Sequence, residues 1–149
     1  MNIHIINGPN LNLLGFREPN IYGTKTLKEI NKELELKFNK TDLFFFQSNI
    51  EGEIVEKIHS IKPEEYALCN FGGYTHTSVA IRDAIISSHL KFIEIHISNT
   101  YKREGFRKIS MMADLAIGVI EGFGLKSYDM AIEYLLSYQQ DKKRPLNLK

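Results

Sequence analysis

A three-layer α/β fold, with a parallel sheet covered by helices on both faces, is predicted by the alternation of five short apolar runs with helix-patterned segments. The run Tyr66-Ala67-Leu68-Cys69 suits a strand buried on both sides. Two capping-box patterns, Thr26 to Glu29 and Ser48 to Glu51, mark helix starts between the runs.

The first strand is Asn2 to Asn7 (NIHIIN), closed by the turn Gly8-Pro9-Asn10. From Leu11 to Lys25 there is no clean period, and Gly15, Pro19 and Gly23 punctuate the segment. A loop of that length in a compact domain is often functional, for example as a lid. With Asn10 it carries Asn12, Arg17, Glu18 and Tyr22; a solvated connector is the alternative. Leu27, Ile30, Leu34 and Phe38 space as a helix, and Asp42 to Gln47 (DLFFFQ) is the second strand. The next helix runs to about Ile61 with Ile54, Val55 and Ile58 inward. Its early glutamates, Glu51, Glu53 and Glu56, favour the helix dipole, and His59 near its end reads as structural.

After the third strand, Gly72 and Gly73 permit a turn and let a ligand approach the main chain. Thr75, Thr77 and Ser78 are N-cap types, and Val79, Ile81, Ile85 and Ile86 form a helical apolar face. The helix start aims unpaired N–H groups at the strand's carboxyl edge, a seat for an anion, with Asn70, His76, Arg82 and Asp83 around it. An ordinary strand–turn–helix crossover is the alternative. Phe92 to Ile97 (FIEIHI) is the fourth strand, with Glu94 and His96 on one face. Ser98-Asn99 end it, and Thr100 to Ser110 form a basic segment. Leu115 to Ile120 reads as the fifth strand, and a last helix spans about Lys126 to Tyr138. The polar tail, about 139–149, is expected to be mobile. A doubly wound five-stranded sheet in flavodoxin-like order is the best topology. In such sheets ligands bind beyond the carboxyl ends of the strands. That rule gathers Asn10, Asn70, Gly72, His76, His96, Ser98 and the long first loop at one rim.

Bulk properties narrow the function. At 149 residues, with 25% charged and 43% apolar residues, the chain is expected to be one globular domain over 1–149. A net charge of +1 makes no electrostatic case for nucleic acid or membrane. One cysteine, Cys69, excludes an intrachain disulfide framework and a multi-cysteine metal site. With no signal-peptide pattern and no bilayer-length apolar run, a cytoplasmic protein is expected.

The chemistry-bearing rim residues are Arg17, Tyr22, His76, Glu94, His96, Arg103 and Arg107. There is no serine nucleophile elbow and no Walker-type phosphate loop. Two histidines without a paired carboxylate motif are a poor metal set, so no metal is expected. Tyr22 is a weak base unless a guanidinium stabilises its phenolate, and Arg17 lies on the same loop. His96 suits a general acid oriented by Glu94 or by a neighbouring chain group. Together these fit proton abstraction beside a carbonyl with loss of a leaving group. Tyr22 as an apolar anchor with an exposed Arg17 is the other reading.

Several segments, in this order, resemble the type II 3-dehydroquinate dehydratases: IINGPNLNLLG (Ile5 to Gly15), REPNIYG (Arg17 to Gly23), GGYTHTSVAIRDA (Gly72 to Ala84), EIHISN (Glu94 to Asn99), EGFR (Glu104 to Arg107) and GVIEGFG (Gly118 to Gly124). The likeness covers nearly the whole chain. It implies a flavodoxin-like fold, a dodecamer built as a tetramer of trimers, and no cofactor. The implied reaction converts 3-dehydroquinate to 3-dehydroshikimate in the shikimate or quinate pathway. By that resemblance Tyr22 removes the C2 proton and Arg17 keeps Tyr22 deprotonated. Asn10 holds a water that stabilises the enolate, and His96, supported by Glu94, protonates the C1 hydroxyl. Asn70, Gly72, His76, Asp83, Ile97, Ser98, Arg103 and Arg107 hold substrate, with Asp83 reaching in from a neighbouring subunit. Two departures stand out: Phe71 in place of a small residue or proline, and Met111, Met112 and Asp114 in place of a Ser/Pro-containing segment. Two alternatives remain at this level: a hydrolase using Cys69 as nucleophile, and a non-catalytic flavin- or phosphate-binding module on the same fold.

Overall fold

The sheet is built outward from β1 (Asn2–Asn7), whose residues Ile3, Ile5 and Ile6 are fully buried. β1 pairs in parallel with β2 (Asp42–Gln47) on one side and β3 (Tyr66–Asn70) on the other. β4 (Lys91–His96) follows β3, and β5 (Gly118–Glu121) closes the order β2-β1-β3-β4-β5. Every pairing is parallel, so each strand's carboxyl end reaches the same rim. The computed structural model describes residues 1–16 and 18–143, with Tyr22 and 141–143 described by backbone alone.

Strand alternation splits the core in two. Ile3, Ile5, Leu68, Ile93 and Ile95 face α2 (Leu27–Lys37) and α5 (Lys126–Lys143), which contribute Ile30, Leu34, Tyr128, Ala131, Ile132 and Leu135. Ile6, Ala67, Cys69 and Phe92 face α3 (Glu51–His59) and α4 (Val79–Ser88), which contribute Ile54, Ile58, Ile81, Ala84 and Ile85. Strands read as near-continuous apolar runs because both faces are covered. The predicted three-layer fold is therefore the observed one.

Local signals worked where their partners are local. The Thr26–Glu29 capping box forms: Glu29 N–H donates to Thr26 Oγ1 at 3.3 Å, and Thr26 N–H donates to Glu29 Oε2 at 2.8 Å. The second box does not. Ser48 Oγ accepts from Ile50 N–H at 2.9 Å and donates to the Glu53 carboxylate, so α3 starts only at Glu51. The serine satisfies a nearby turn instead of the helix end, a competition short hydroxyl side chains often win. The stretch expected to be irregular contains a 3₁₀ turn at Leu11–Leu13 and one helical turn, α1 (Pro19–Tyr22), entered through Pro19. The fifth strand begins three residues later than expected. Ala113–Leu115 is a 3₁₀ turn, and pairing with β4 starts where Gly118 sits opposite Ile93. α5 continues past Tyr138 to Lys143, into the segment expected to be mobile; 144–149 lie outside the described residues. No helix among the described residues is long and apolar enough to cross a membrane.

Both departures from the family pattern are packed or paired. Phe71 is fully buried, tilted against Phe92 with ring centroids 6.3 Å apart. Met112 is fully buried in the same cluster. Asp114 takes both terminal nitrogens of Arg82, at 2.6 and 2.8 Å.

Candidate active site

Two turns meet at the rim. Gly8 follows β1, and its N–H donates to the Asn70 carbonyl at the end of β3 at 2.8 Å. A Cβ at Gly8 would lie 2.4 Å from the Phe71 carbonyl oxygen, so only glycine allows this approach. Asn10 then adopts a left-handed conformation (φ 68°), which asparagine tolerates, and its N–H donates to Asn49 Oδ1 at 2.9 Å. Between these turns and the end of β4 lies a cavity of about 110 Å³.

Nine of the thirteen site residues expected from sequence line it. Asn10 comes from the first turn, and Asn70, Gly72 and His76 from the second. His96, Ile97 and Ser98 come from the end of β4, and Arg103 and Arg107 from the basic segment. Glu94 lies one layer deeper. It is completely buried, and its Oε1 is 2.6 Å from His96 Nε2. A carboxylate only accepts, so Nε2 carries the hydrogen and Nδ1 is the nitrogen left for a ligand. His76 is held the other way: its Nδ1–H donates to the Ile109 carbonyl at 2.6 Å, leaving Nε2. The two imidazoles stack with centroids 6.3 Å apart and planes 17° from parallel.

Asn70 is held from beneath. Its Nδ2 donates to the Tyr128 hydroxyl at 3.0 Å, and that hydroxyl donates to Asn7 Oδ1 at 2.6 Å. Burial pushes the Tyr128 phenol well above its ordinary pKa, so it stays a neutral hydroxyl. The cationic side of the cavity is Arg103 and Arg107. The Glu104 carboxylate reaches Nε of Arg107 at 2.8 Å and of Arg103 at 3.7 Å. Backbone hydrogen bonding at Glu104 and the Arg107 guanidinium hold that carboxyl below the usual range. Two guanidinium groups lining one small cavity favour an anion there.

Other expectations need correcting or fall outside. The first residues of α4 do not line the cavity. A 3₁₀ turn at Gly72–His76 intervenes, and Ser78 Oγ accepts from Ile81 N–H at 2.9 Å, so the helix caps itself. The main-chain groups facing the cavity belong to Gly72 and Gly73 instead. Arg82 does not join the seat, being tied to Asp114 and to the Met111 carbonyl. Asp83 is exposed on α4 and lines no part of this cavity. Arg17 and the side chain of Tyr22 lie outside the described residues; the backbone of Tyr22 ends α1. Cys69 is fully buried, outside the cavity lining, and burial raises its thiol pKa well above the ordinary value, which removes it as a nucleophile. Among the described residues no cluster of three or more His, Cys, Asp or Glu side chains could hold a metal.

Sequence reasoning missed Thr100, which lines the cavity and donates to Glu121 Oε2 at 2.5 Å, and the supporting hydroxyls of Tyr128 and Ser110. Thr100 stood two residues after Ser98 and could have been included. Tyr128 sits 58 positions from Asn70, and nothing local announces that contact.

Comparison with known proteins bears on this site. Residues 1–136 match the family model described as Dehydroquinase class II. A 3-dehydroquinate dehydratase of Prochlorococcus marinus (strain MIT 9215) is 54% identical over 145 residues, covering 95% of this chain and 99% of that protein. One from Buchnera aphidicola subsp. Cinara cedri is 49% identical over 149 residues, covering 97% of each. The crystal structure of type II dehydroquinase from Butyrivibrio crossotus DSM 2876 superposes with a TM-score of 0.86 at 45% identity, covering 91% of this chain and 97% of that one. With that match running through both rim turns, the end of β4 and the basic segment, the chain belongs to the class II dehydroquinases.

Proposed function

We propose that this chain dehydrates 3-dehydroquinate to 3-dehydroshikimate through an enolate, with Tyr22 as base and His96 as acid. Family membership supports the reaction. The observation that carries the residue roles is the buried Glu94–His96 pair opening its free nitrogen to an arginine-lined cavity.

In this reading Tyr22, kept ionised by Arg17, takes the proton from C2 beside the ketone. The electrons move onto the carbonyl oxygen, and a water held by Asn10 donates to that oxygen. The C1–O bond then breaks, C1=C2 forms, and the departing oxygen takes the proton on His96 as water leaves. Glu94 accepts from Nε2–H of His96 and so leaves Nδ1 facing the leaving oxygen. Arg107 and Arg103 receive the substrate carboxylate as charge-assisted partners. Asn70, Gly72, His76, Ile97 and Ser98 hold the ring hydroxyls. Every step uses amino-acid groups and one water, and no cofactor is invoked. We propose further that the protein works in the cytoplasm in the shikimate or quinate pathway. Its single domain would assemble into a dodecamer, a tetramer of trimers in which Asp83 completes a neighbour's cavity. Asp83's exposure, with no part in lining its own cavity, supports that arrangement.

Adding 3-dehydroquinate and following the ultraviolet absorbance of the conjugated product tests the reaction. Tyr22→Phe should abolish turnover while a substrate analogue still binds; a fully active variant removes Tyr22 from the role of base.

A further inference from the structure

We propose that Ser110 is a positioning residue for the acid: it holds the Glu94 carboxylate in the orientation that grips Nε2–H of His96 and keeps Nδ1 aimed at the cavity. This rests on the reading above, in which His96 is the acid.

Ser110 lies at the end of the basic segment, two residues after the Gly105–Lys108 turn. Its Oγ accepts from the backbone N–H groups of Met112 and Ala113, each at 3.0 Å. A serine hydroxyl has two acceptor sites and one hydrogen. Both acceptor sites are taken by main-chain donors, which cannot reverse. The single hydrogen must therefore point at the remaining partner, Glu94 Oε2, at 2.9 Å. That makes Oε2 an acceptor from serine and leaves Oε1 to accept from His96 Nε2–H, at 2.6 Å. Two backbone amides thus fix the serine hydrogen on Glu94, and the carboxylate, pinned at Oε2, presents Oε1 to His96. The result is that Nδ1 of His96 is the proton-delivering atom. The preceding residue adds to this, since the Ile109 carbonyl fixes the opposite tautomer of His76. Residues 109 and 110 thus hold both stacked imidazoles of the cavity.

The step concerned is the second one. Once the C2 proton is on Tyr22, the enolate either takes it back or expels the C1 hydroxyl. Expulsion breaks C1–O, moves the enolate electrons into C1=C2 and transfers the Nδ1 proton to the leaving oxygen, giving water. A misaligned His96 slows expulsion and leaves proton return untouched. A merely structural defect slows both together.

The experiment runs the reaction in deuterium oxide and measures product by absorbance and deuterium in recovered 3-dehydroquinate by mass spectrometry. It compares wild type, Ser110→Ala, Ser110→Cys, Ser110→Thr and His96→Asn. A hydrogen bond to a charged group, when lost, costs about 10- to 100-fold in rate, so kcat of Ser110→Ala should fall by that factor with KM little changed. Deuterium incorporated per product formed should rise, as it should in His96→Asn. Ser110→Cys keeps a similar shape with a weak donor and should show the same direction, which covers a failure of the alanine variant to fold. Ser110→Thr keeps the hydroxyl and should restore most turnover. If exchange and turnover fall in proportion in the Ser110 variants, or kcat is unchanged, the role of Ser110 is overturned while the His96 assignment stands. Normal turnover in His96→Asn overturns the acid assignment and this proposal with it.

Discussion

Replacing Tyr128 by phenylalanine tests how the core reaches the cavity. The ring is 1% exposed and stays packed among Ile132, Leu135 and the sheet; only the hydroxyl is lost. That hydroxyl accepts from Asn70 Nδ2 and donates to Asn7 Oδ1, and both asparagines are buried. Its removal leaves one donor and one acceptor without partners. Each unsatisfied buried group costs about 1–3 kcal/mol, partly offset by the easier burial of phenylalanine, so the net loss is about 2–4 kcal/mol. For a chain of this length that lowers Tm by about 5–15 °C. The functional effect follows from the same bond. Asn70 loses the contact that aims its amide, so KM for 3-dehydroquinate should rise several-fold while kcat falls less. The assays are thermal unfolding at fixed protein concentration and steady-state kinetics. A Tm shift below about 2 °C together with an unchanged KM would refute the claim that Tyr128 holds Asn70.

Three further outcomes follow from particular contacts. Gly8→Ala forces a methyl to 2.4 Å from the Phe71 carbonyl oxygen, a main-chain atom that cannot rotate away. Thermal unfolding should show a loss of about 1–3 kcal/mol or more, and binding of a substrate analogue should weaken because the Asn10 and Gly72 turns must part. Acid stability should depend on Glu65, whose carboxyl Asn2 and then His4 and the Lys62 N–H hold down to about 2. The folded form therefore binds this proton less readily than the unfolded chain. Its contribution is complete above 4.5, the ordinary value, and is lost as pH falls towards about 2. Burial lowers His4 below 6.5, so stability also declines as pH drops through that value. Glu65→Gln should flatten the lower part of the unfolding profile, and an unchanged profile would contradict the assignment. Cys69→Ser should keep full turnover per folded molecule while losing about 1–3 kcal/mol, because a hydroxyl replaces a thiol in an apolar cluster. Loss of turnover in a well-folded variant would reopen thiol chemistry.

Much of this molecule was legible from local pattern. β1 and β2 run over the residues that their apolar runs mark, and the Thr26 capping box forms as written. Those signals are carried by neighbours a few positions apart, so the chain itself contains both partners. Because consecutive strands alternate with helices, the sheet had to be parallel, and parallel strands place Asn10, Asn70 and His96 at one rim. Glu94 and His96 two apart on a strand must share a face, which predicted their contact. What failed locally failed for a physical reason: Ser48 had a nearer donor than the helix end, and residues 113–115 turned before they could pair.

Only the tertiary structure decided how the site is supported. The hydroxyls of Tyr128 and Ser110 meet their partners across 58 and 16 positions, and no period or spacing encodes such bonds. It also decided that Arg82 turns to Asp114 and that Cys69 lies sealed under the sheet. Sequence determines which faces are apolar and where the chain must turn, because those preferences act over a few residues. Which polar atom meets which is chosen when the layers close and each buried donor must find an acceptor.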